Sequence, residues 1–297
     1  MTKQHSLAII GPGKVGTAIA VAASKAGFTD ITIAGRDIDK VHAAAQKVPG
    51  SKGRRITEAA HHADIVLLTV SDSEIELVCK QMTEELAFKK GTVLAHLSGA
   101  LDSSVLKQAK EESGVYIASA HPMQTFPSLD AETPGEAAVP GAYWFLEGDA
   151  EAVVVLSELI EKLGGTVNAI TSEGKAIYHA ASVVACNYLS TLMDTAIGMM
   201  KQSNVDEDVA WKALKPLVFG TLNNIDQMGP EAALTGPIER GDVETITKHR
   251  HALDAMSVHE RGLYSALGLR TVQLAMRKGA IDATVAEKLN VELKQIF

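Results

Sequence analysis

A glycine-rich turn near the start of the chain constrains its fold more than any other feature. Residues 7–10 form a short apolar run typical of a buried strand, and a helix-like stretch begins shortly after it. The turn between them consists of Gly11, Pro12, Gly13, Lys14, Val15 and Gly16. In a G-x-G-x-x-G pattern the three glycines permit a tight turn, close approach of the main chain to a pyrophosphate, and packing of the helix on the sheet. The turn therefore predicts a parallel α/β sheet that binds a dinucleotide at a helix N-terminus.

The first part of the chain alternates between two kinds of segment, as βαβ units do. Strands are predicted at 7–10, 31–34, 65–70, 92–97, 115–118, 143–146 and 166–170. Helices are predicted at 14–26, 39–47, 73–85, 103–112 and 149–163. Residues 120–142 carry four prolines and no periodicity, which predicts a long ordered loop.

The alternation stops near residue 171, and helical periodicity continues from there to the end of the sequence. We expect one helix over 172–201, followed by helices at 206–228, 242–255, 257–277 and 284–295, with turns at Gly229 and Gly236. The predicted fold class is α/β, with a doubly wound parallel sheet of the Rossmann type followed by an all-helical second domain. The expected domains are 1–171, which binds the dinucleotide, and 172–297, a helical domain for substrate binding and dimerisation.

The end of the second predicted strand indicates which dinucleotide the chain binds. An NAD site places a carboxylate there for the ribose 2′-hydroxyl, whereas an NADP site needs a cation for the 2′-phosphate. Here Gly35 stands at the carboxylate position and Arg36 follows it. Because a guanidinium group binds phosphate through two parallel hydrogen bonds, we expect NADP(H) as the cofactor. The alternative is that Arg36 is a solvated surface charge beside Asp37.

Polar side chains follow several predicted strands and supply candidates for the chemistry. Ligands of a doubly wound sheet bind beyond the carboxyl ends of its strands. The groups expected at that edge are Val70 and Ser71 for the cofactor, and Asp72, Ser98 and His121 beside them. Hydride transfer to a carbonyl or imine carbon needs a proton donor, which a histidine, lysine or serine could supply.

The predicted long helix carries further candidates on one face. Lys175, His179, Ser182 and Cys186 fall on one stripe at 100° per residue. We take Lys175 and His179, with His121 and Ser98, as the candidate catalytic residues. The alternatives are structural: a core histidine, a turn serine, and small packing residues at positions 182 and 186.

The charge balance excludes several classes of partner. With 28 basic and 36 acidic residues the net charge is −8, so the chain lacks the basic excess that neutralises nucleic acid. We therefore expect neither a nucleic-acid nor a membrane partner.

The pair His61 and His62 lacks carboxylate or cysteine partners at ligand spacing, so no metal site is predicted. Two distant cysteines and no signal-peptide pattern lead us to expect a cytoplasmic protein. The apolar helical half predicts a homodimer.

Beyond the glycine turn, three stretches carry a resemblance to known proteins. They are His96 to Ala100, Ser119 to Pro127, and Gly174 to Asn187. The chain resembles Rossmann proteins with an all-helical second domain, such as ketopantoate reductase, 6-phosphogluconate and 3-hydroxyacid dehydrogenases, pyrroline-5-carboxylate reductase and prephenate dehydrogenase. It looks most similar to a branch described as a Rossmann-like, NADP oxidoreductase-type domain followed by a helical domain of unknown function.

The resemblance implies roles for these stretches. The first two are similar to the serine turn and His-Pro segment of prephenate dehydrogenases. The third looks like the start of the interdomain helix that supplies a catalytic lysine in hydroxyacid dehydrogenases and ketopantoate reductase. His179 departs from this pattern, because the hydroxyacid dehydrogenases place asparagine four residues after the lysine. We therefore expect His121 and His179 to share acid–base work.

These observations predict an NADP(H)-dependent oxidoreductase. It would transfer a hydride to or from a small 2-oxo, hydroxy or imino acid, a small-molecule substrate bound in the cleft between the domains. Two alternatives stay open. The chain could be a non-catalytic NADPH-binding sensor or scaffold, or a deazaflavin-dependent NADP reductase.

Overall fold

The structure is a computed structural model that describes residues 5–126 and 138–296. It divides into two compact units, Met1–Asn187 and Tyr188–Phe297. The predicted domain boundary near residue 171 separates an α/β segment from a helical one, whereas the first compact unit also includes the next helix. The boundary therefore stays a prediction.

The first unit is built on a sheet that has eight strands within the described ranges. The strands are β1 Leu7–Ile10, β2 Ile31–Ala34, β3 Lys52–Arg54, β4 Ile65–Leu68, β5 Val93–His96, β6 Tyr116–Pro122, β7 Tyr143–Gly148 and β8 Thr166–Ala169. Their spatial order is β3-β2-β1-β4-β5-β6-β7-β8. Neighbouring strands run parallel except β6 and β7, which pair antiparallel with His121 opposite Phe145. The order places β1 between β2 and β4, so the glycine turn leaves the sheet near its centre.

Helices cover both faces of this sheet. They are α1 Lys14–Lys25, α2 Ile38–Gln46, α3 Ile56–His62, α4 Asp72–Glu84, a 3-10 turn at Ser103–Leu106 leading into α5 Lys107–Ser113, α6 Ala150–Lys162 and α7 Lys175–Ala185. Leu7 and Ile9 pack in one core cluster with α1 and α6. Ala8 and Ile10 pack in a second cluster with α3, α4 and α5. Because both faces of the sheet are buried, β1 and β4 are apolar at every position. The predicted doubly wound sheet is confirmed.

The second unit is helical. Its helices are α8 Asn187–Gln202, α9 Glu207–Ala232, α10 Val243–Leu253, α11 Val258–Arg277 and α12 Ala283–Lys294. A core cluster including Ile246, Val272 and Leu289 holds the last three together. Helix α9 breaks at Gly229, which has φ 78° and ψ 163° and precedes Pro230, at the predicted turn.

Several sequence predictions need correction. The single helix expected over 172–201 is wrong, because α7 ends at Cys186 with φ −115° and ψ −63° before α8 begins. Neither glycine nor proline lies at this break, so helical periodicity carried no sign of it. The sequence also missed β3 and α3. Strand β3 is a short polar strand at the sheet edge and lacks the apolar run that identifies buried strands.

Strand β6 continues to Pro122, whereas the predicted strand ended at residue 118. His121 is therefore the second-last residue of β6. It pairs with β7 and does not lie in a loop. The predicted ordered loop over 120–142 begins later than expected. Its residues 127–137 lie outside the described residues.

No helix in the described ranges combines the length and the apolar character needed to cross a membrane. No group of three or more His, Cys, Asp or Glu side chains there could hold a metal ion.

Candidate functional site

The glycine turn has the geometry that its sequence predicts. Gly11 has φ +117°, which favours glycine, and a Cβ there would lie 2.8 Å from the main-chain oxygen of Thr69. A Cβ on Gly16 would overlap the main-chain oxygen of Gly11 and lie 2.5 Å from Thr69 Oγ1. A Cβ on Gly13 would meet no atom within 4 Å. The turn is therefore closed on the sheet side at Gly11 and Gly16 and open to an approaching ligand at Gly13.

Thr69 holds this turn in place, although no pattern in the sequence marks it for that role. Its hydroxyl group lies 2.7 Å from the main-chain oxygen of Gly11 and 3.1 Å from that of Ile10. Thr69 follows β4, the strand beside β1. The hydroxyl group thus ties the glycine turn to the neighbouring strand end.

The end of β2 carries Gly35, Arg36 and Asp37. The Asp37 carboxylate accepts hydrogen bonds from the amides of Asp39 at 3.1 Å and Lys40 at 3.2 Å, so it caps α2. The bond from the Lys40 amide does most to lower the pKa of Asp37. Arg36 is 73% exposed, and its Nη1 lies 2.8 Å from Oε2 of Glu74 on α4. Arg36 is therefore a surface charge that pairs with Glu74 rather than with Asp37.

A cavity of about 210 Å³ lies beyond the carboxyl ends of the strands. It is lined by Val15, Thr69, Val70, Asp72, Leu97, Ser98, His121, Pro122, Gln124 and Phe126. Val15 belongs to the helix that follows the glycine turn, whereas Ser98 and His121 are candidate catalytic residues. One cavity thus joins the predicted nucleotide turn with two of the predicted catalytic groups.

Ser98 closes the turn after β5. Its Oγ donates a hydrogen bond to Asp72 Oδ2 at 2.8 Å and accepts from the amides of Ala100 at 3.1 Å and Leu101 at 3.0 Å. The hydroxyl proton therefore points at a carboxylate, and the lone pairs bind main-chain amides. In this arrangement Ser98 has no proton left to donate to a substrate.

His121 forms a hydrogen bond with Tyr178 on α7, with 2.8 Å between Nδ1 and Oη. Burial, reinforced by electrostatic interactions with Lys175 and His179, lowers the pKa of His121 from 6.5 to about 4. Burial also raises the pKa of Tyr178 from 10.0 to about 12. At neutral pH both rings are therefore uncharged, and the phenol keeps its proton.

Gly99 lets two imidazole rings approach the turn. A Cβ at this position would lie 2.5 Å from His179 Nδ1 and 2.8 Å from His121 Nε2. The two rings meet edge to face, with centroids 5.8 Å apart. Nδ1 of His179 is buried and has no hydrogen-bond partner among the residues that the structure describes. The two predicted acid–base histidines are therefore brought together over the Gly99 main chain.

Lys175 lies beneath the same turn and does not line the cavity. It is 1% exposed, and its Nζ donates to the main-chain oxygen of Ser98 at 3.1 Å and to the hydroxyl of Ser119. Burial lowers the pKa of Lys175, opposed by the negative charges of Glu147, Asp102 and Asp72. The side chain of Lys175 thus joins the turn after β5 to Ser119 in the middle of β6.

His96 is fully buried below Ser98. Its Nδ1 accepts from the Ser98 amide at 3.2 Å, so Nε2 carries the proton and donates to the Asp102 main-chain oxygen at 3.0 Å. Burial lowers the pKa of His96 from 6.5 to about 4. A neutral imidazole therefore supports the turn that holds Ser98.

This shift predicts that acid destabilises the first unit. The unfolded chain takes up a proton on His96 near pH 6.5, whereas the folded chain resists protonation down to about pH 4. Stability from this group is complete above pH 6.5 and falls as pH drops to 4, by about 3 kcal/mol. Urea unfolding at several pH values measures the loss. The His96→Gln variant should lose less stability across that window. Equal stability of the unchanged chain at both ends would contradict the prediction.

The structure brings the four predicted catalytic residues into one region of the first unit. Ser98 and His121 line the cavity, and Lys175 and His179 contact the same turn from α7. The other two members of the predicted stripe do not join them. Ser182 bonds the main-chain oxygen of His179, and Cys186 is exposed at the end of α7.

Sequence reasoning missed Tyr178, although a signal was present. It lies three residues after Lys175, and helix residues at that spacing share a face. It also missed the role of His96, which lay within a stretch that carried the resemblance but was not taken as a candidate. Ser71, a predicted cofactor residue, lies exposed at the N-cap of α4, next to Val70 on the cavity wall.

Comparison with family models identifies both parts of the chain. Residues 2–122 match a Rossmann-like domain, and residues 142–271 match a domain of unknown function, DUF2520. The chain combines a Rossmann-like domain with a DUF2520 domain. No curated protein matches this Rossmann–DUF2520 chain by sequence.

Solved structures share its fold. A protein from Thermotoga maritima is 26% identical, with a TM-score of 0.68, over 95% of this chain and 98% of its own. A candidate NADP oxidoreductase from Bacteroides fragilis is 24% identical, with a TM-score of 0.70, over 91% and 98%. A pyrroline carboxylate reductase from Plasmodium falciparum, solved with NADP bound, is 14% identical, with a TM-score of 0.56, over 98% and 99%. The predicted resemblance to Rossmann proteins with a helical second domain is confirmed.

Proposed function

We propose that this chain is an NADP(H)-dependent oxidoreductase, a dehydrogenase or reductase that acts on a small 2-oxo, hydroxy or imino acid. The observation that carries the proposal is the cavity at the carboxyl edge of the sheet. Val15 and Val70 from the predicted nucleotide site line it together with Ser98 and His121. The fold it shares with an NADP-bound reductase and a candidate NADP oxidoreductase supports the same class.

The glycine turn fits a dinucleotide. Gly13 is the N-cap of helix α1 and supplies no side-chain cap, so the first amides of the helix are available to an anion. Gly13 leaves open space in front of them, and a pyrophosphate could approach the main chain there. Arg36 would bind the 2′-phosphate. The full set of proposed cofactor residues is Gly11, Pro12, Gly13, Lys14, Val15, Gly16, Gly35, Arg36, Val70 and Ser71.

His121 is the proton donor in this proposal. A bound nicotinamide supplies or accepts the hydride. We assign the phenol of Tyr178 as the donor in its hydrogen bond with Nδ1 of His121, and this assignment leaves the imidazole proton on Nε2. A neutral imidazole N–H can polarise a carbonyl oxygen or imine nitrogen without carrying a charge of its own. As Nε2 of His121 gives its proton to a substrate being reduced, Nδ1 would take the phenol proton of Tyr178, and solvent water would return a proton to the half-buried phenolate.

The other candidate residues position His121 and the turn beside it. Lys175 holds the Ser98 main-chain oxygen, and Ser98 anchors the turn to Asp72. His179 packs edge to face against His121 and limits the orientations of its ring. We therefore assign Lys175, Ser98 and His179 to positioning, because their polar atoms contact protein groups or are buried.

The proposal is tested by following NADPH absorbance with the purified chain and a panel of small oxo acids and cyclic imines. We expect oxidation of NADPH with at least one member of the panel. Tight NADPH binding without turnover across the panel would instead favour the sensor or scaffold. Reduction of NADP by a reduced deazaflavin would favour a deazaflavin-dependent NADP reductase.

We also propose that the chain forms a homodimer. No residue of α8 is buried, and Ala210 is the single buried residue of the 26-residue helix α9. Leu217, Phe219 and Leu222 on α9 are 66%, 57% and 44% exposed, which is unusual for large apolar side chains. A second copy of the chain would cover them through a two-fold interface.

Light scattering should accordingly give about twice the chain mass of 31.4 kDa. The double substitution Leu217→Glu and Phe219→Glu should give a monomer with unchanged helical circular dichroism, because two charges cannot be buried in an apolar interface. The matched control is Val154→Glu, an exposed apolar site on α6 in the first unit, which should stay dimeric. A monomeric unchanged chain would overturn the dimer.

A further inference from the structure

The main chain at Gly35 packs closely against Pro12 of the glycine turn. A Cβ at this position would lie 2.7 Å from Cδ and 3.3 Å from Cγ of Pro12, and 3.4 Å from Cγ2 of Val41. Both Pro12 atoms belong to a rigid ring whose φ is fixed. The turn is also tied to β2, because the Gly11 amide donates to the main-chain oxygen of Ala34 at 2.8 Å. Any side chain at position 35 would therefore displace the turn.

This contact bears on dinucleotide choice because position 35 directly follows β2. A carboxylate at such a position is the group that binds the ribose 2′-hydroxyl of NAD. Pro12 fills the space in which the Cβ of that aspartate or glutamate would lie. The next carboxylate along the chain, Asp37, already caps α2 through the amides of Asp39 and Lys40.

The carboxylate that contacts Arg36 belongs to Glu74, which follows β4 and not β2 in the chain. Glu74 lies on the first turn of α4, which follows β4, and its Oε2 is 2.8 Å from Arg36 Nη1. Since β1 lies between β2 and β4, this ion pair crosses the carboxyl end of β1, from which the glycine turn emerges. Glu74 is 27% exposed at its side chain and Arg36 is 73% exposed, so Glu74 is the better anchored partner.

Arginine has five N–H donors in a fixed planar arrangement, and the Glu74 carboxylate oxygen Oε2 lies 2.8 Å from Nη1. The opposite edge of the guanidinium stays available for two parallel bonds to a phosphate. An exposed arginine without an anchor would sample many rotamers and lose entropy on binding. The ion pair therefore holds the guanidinium in one orientation near the glycine turn.

We propose that Pro12 and Glu74 set the dinucleotide preference of this site. Pro12 excludes a carboxylate from the end of β2, and Glu74 positions Arg36 for the 2′-phosphate. The inference rests on the proposed binding of NADP(H) and adds two residues that discriminate against NAD(H). Neither residue needs to take part in the hydride transfer.

The first test compares NADPH and NADH binding by fluorescence titration in single variants. Arg36→Ala should weaken NADPH binding about 10- to 100-fold, because charged hydrogen bonds to the phosphate are lost, and leave NADH binding unchanged. Glu74→Ala should weaken NADPH binding about threefold, the effect of an exposed ion pair, and also spare NADH. The matched control is Glu76→Ala, which removes an exposed carboxylate from the same helix and should change neither affinity.

The second test concerns Pro12. Gly35→Asp alone should weaken binding of both dinucleotides, because the added Cβ displaces the turn. The double variant Pro12→Ala with Gly35→Asp should bind NADH at least tenfold more tightly than Gly35→Asp does. Circular dichroism and thermal unfolding of each variant establish that it is folded.

Four outcomes would overturn the inference. Tighter NADPH binding by Glu74→Ala would mean that Glu74 competes with the phosphate, and an unchanged preference would mean that it has no part. Improved NADH binding by Gly35→Asp alone would remove the role of Pro12. If the unchanged chain bound neither dinucleotide, the proposed function would fail together with this inference, whereas normal binding with unchanged ratios in the variants overturns the inference alone.

Discussion

Gly16→Ala is expected to destabilise the chain by about 2–3 kcal/mol and to abolish measurable NADPH binding. The added Cβ would overlap the main-chain oxygen of Gly11 and the hydroxyl group of Thr69, which lies 2.5 Å away. Neither the turn nor the strand end can yield easily, because Thr69 bonds the turn directly. Urea unfolding measures the loss of stability, and fluorescence titration measures the binding.

Gly13→Ala is the matched control, because it adds the same methyl group to the same turn. No atom lies within 4 Å of the new Cβ, so the free energy of unfolding should change by less than about 1 kcal/mol. NADPH binding should still weaken strongly, since the methyl group occupies the approach of the pyrophosphate. Full NADPH affinity in Gly13→Ala would contradict the proposed position of the pyrophosphate.

His121→Gln is expected to lower the rate of NADPH oxidation about 100- to 10,000-fold, the usual contribution of a positioned proton donor. Glutamine keeps a polar side chain of similar reach but cannot relay a proton from Tyr178 to the substrate, as an imidazole with two ring nitrogens can. The affinity for NADPH should change little, because the proposed phosphate contacts lie on the glycine turn and Arg36. Steady-state kinetics and a binding titration on the same sample separate the two effects.

Tyr178→Phe tests the same proton transfer with a smaller expected effect than His121→Gln. It keeps the ring that packs on Phe145, with centroids 4.6 Å apart, and removes the hydroxyl group that bonds His121 Nδ1. The rate should fall about tenfold, less than in His121→Gln, because His121 stays in place without a fixed proton position. Equal losses of rate and of NADPH affinity in His121→Gln would argue that this residue is structural.

The sequence predicted the nucleotide half well, because its signals are local. The β-branched runs of β1 and β2 match the observed bounds, and the glycine turn has the φ and steric closure that its residue types imply. Strand β3 escaped detection because a polar edge strand carries no apolar pattern. The break at Cys186 escaped because no residue there disfavours a helix strongly.

The sequence indicated where the candidate residues lie but not which contacts they make. Ser98 and His121 follow from their places at the ends of β5 and β6. That Ser98 gives its proton to Asp72, and that Lys175 bonds two groups beneath the cavity, depends on contacts between residues far apart in sequence. The pairing of Arg36 with Glu74 is of the same kind, because it joins the ends of two strands that are not neighbours.

A crystal structure of the chain with NADPH bound tests the central claim most directly. We predict that the pyrophosphate lies on the first amides of α1 and the 2′-phosphate on Arg36. The nicotinamide ring should enter the cavity lined by Val15, Val70 and His121, with Nε2 of His121 facing the space beside its reactive carbon. A nicotinamide ring bound outside that cavity, with His121 out of reach of any substrate beside it, would contradict the proposal.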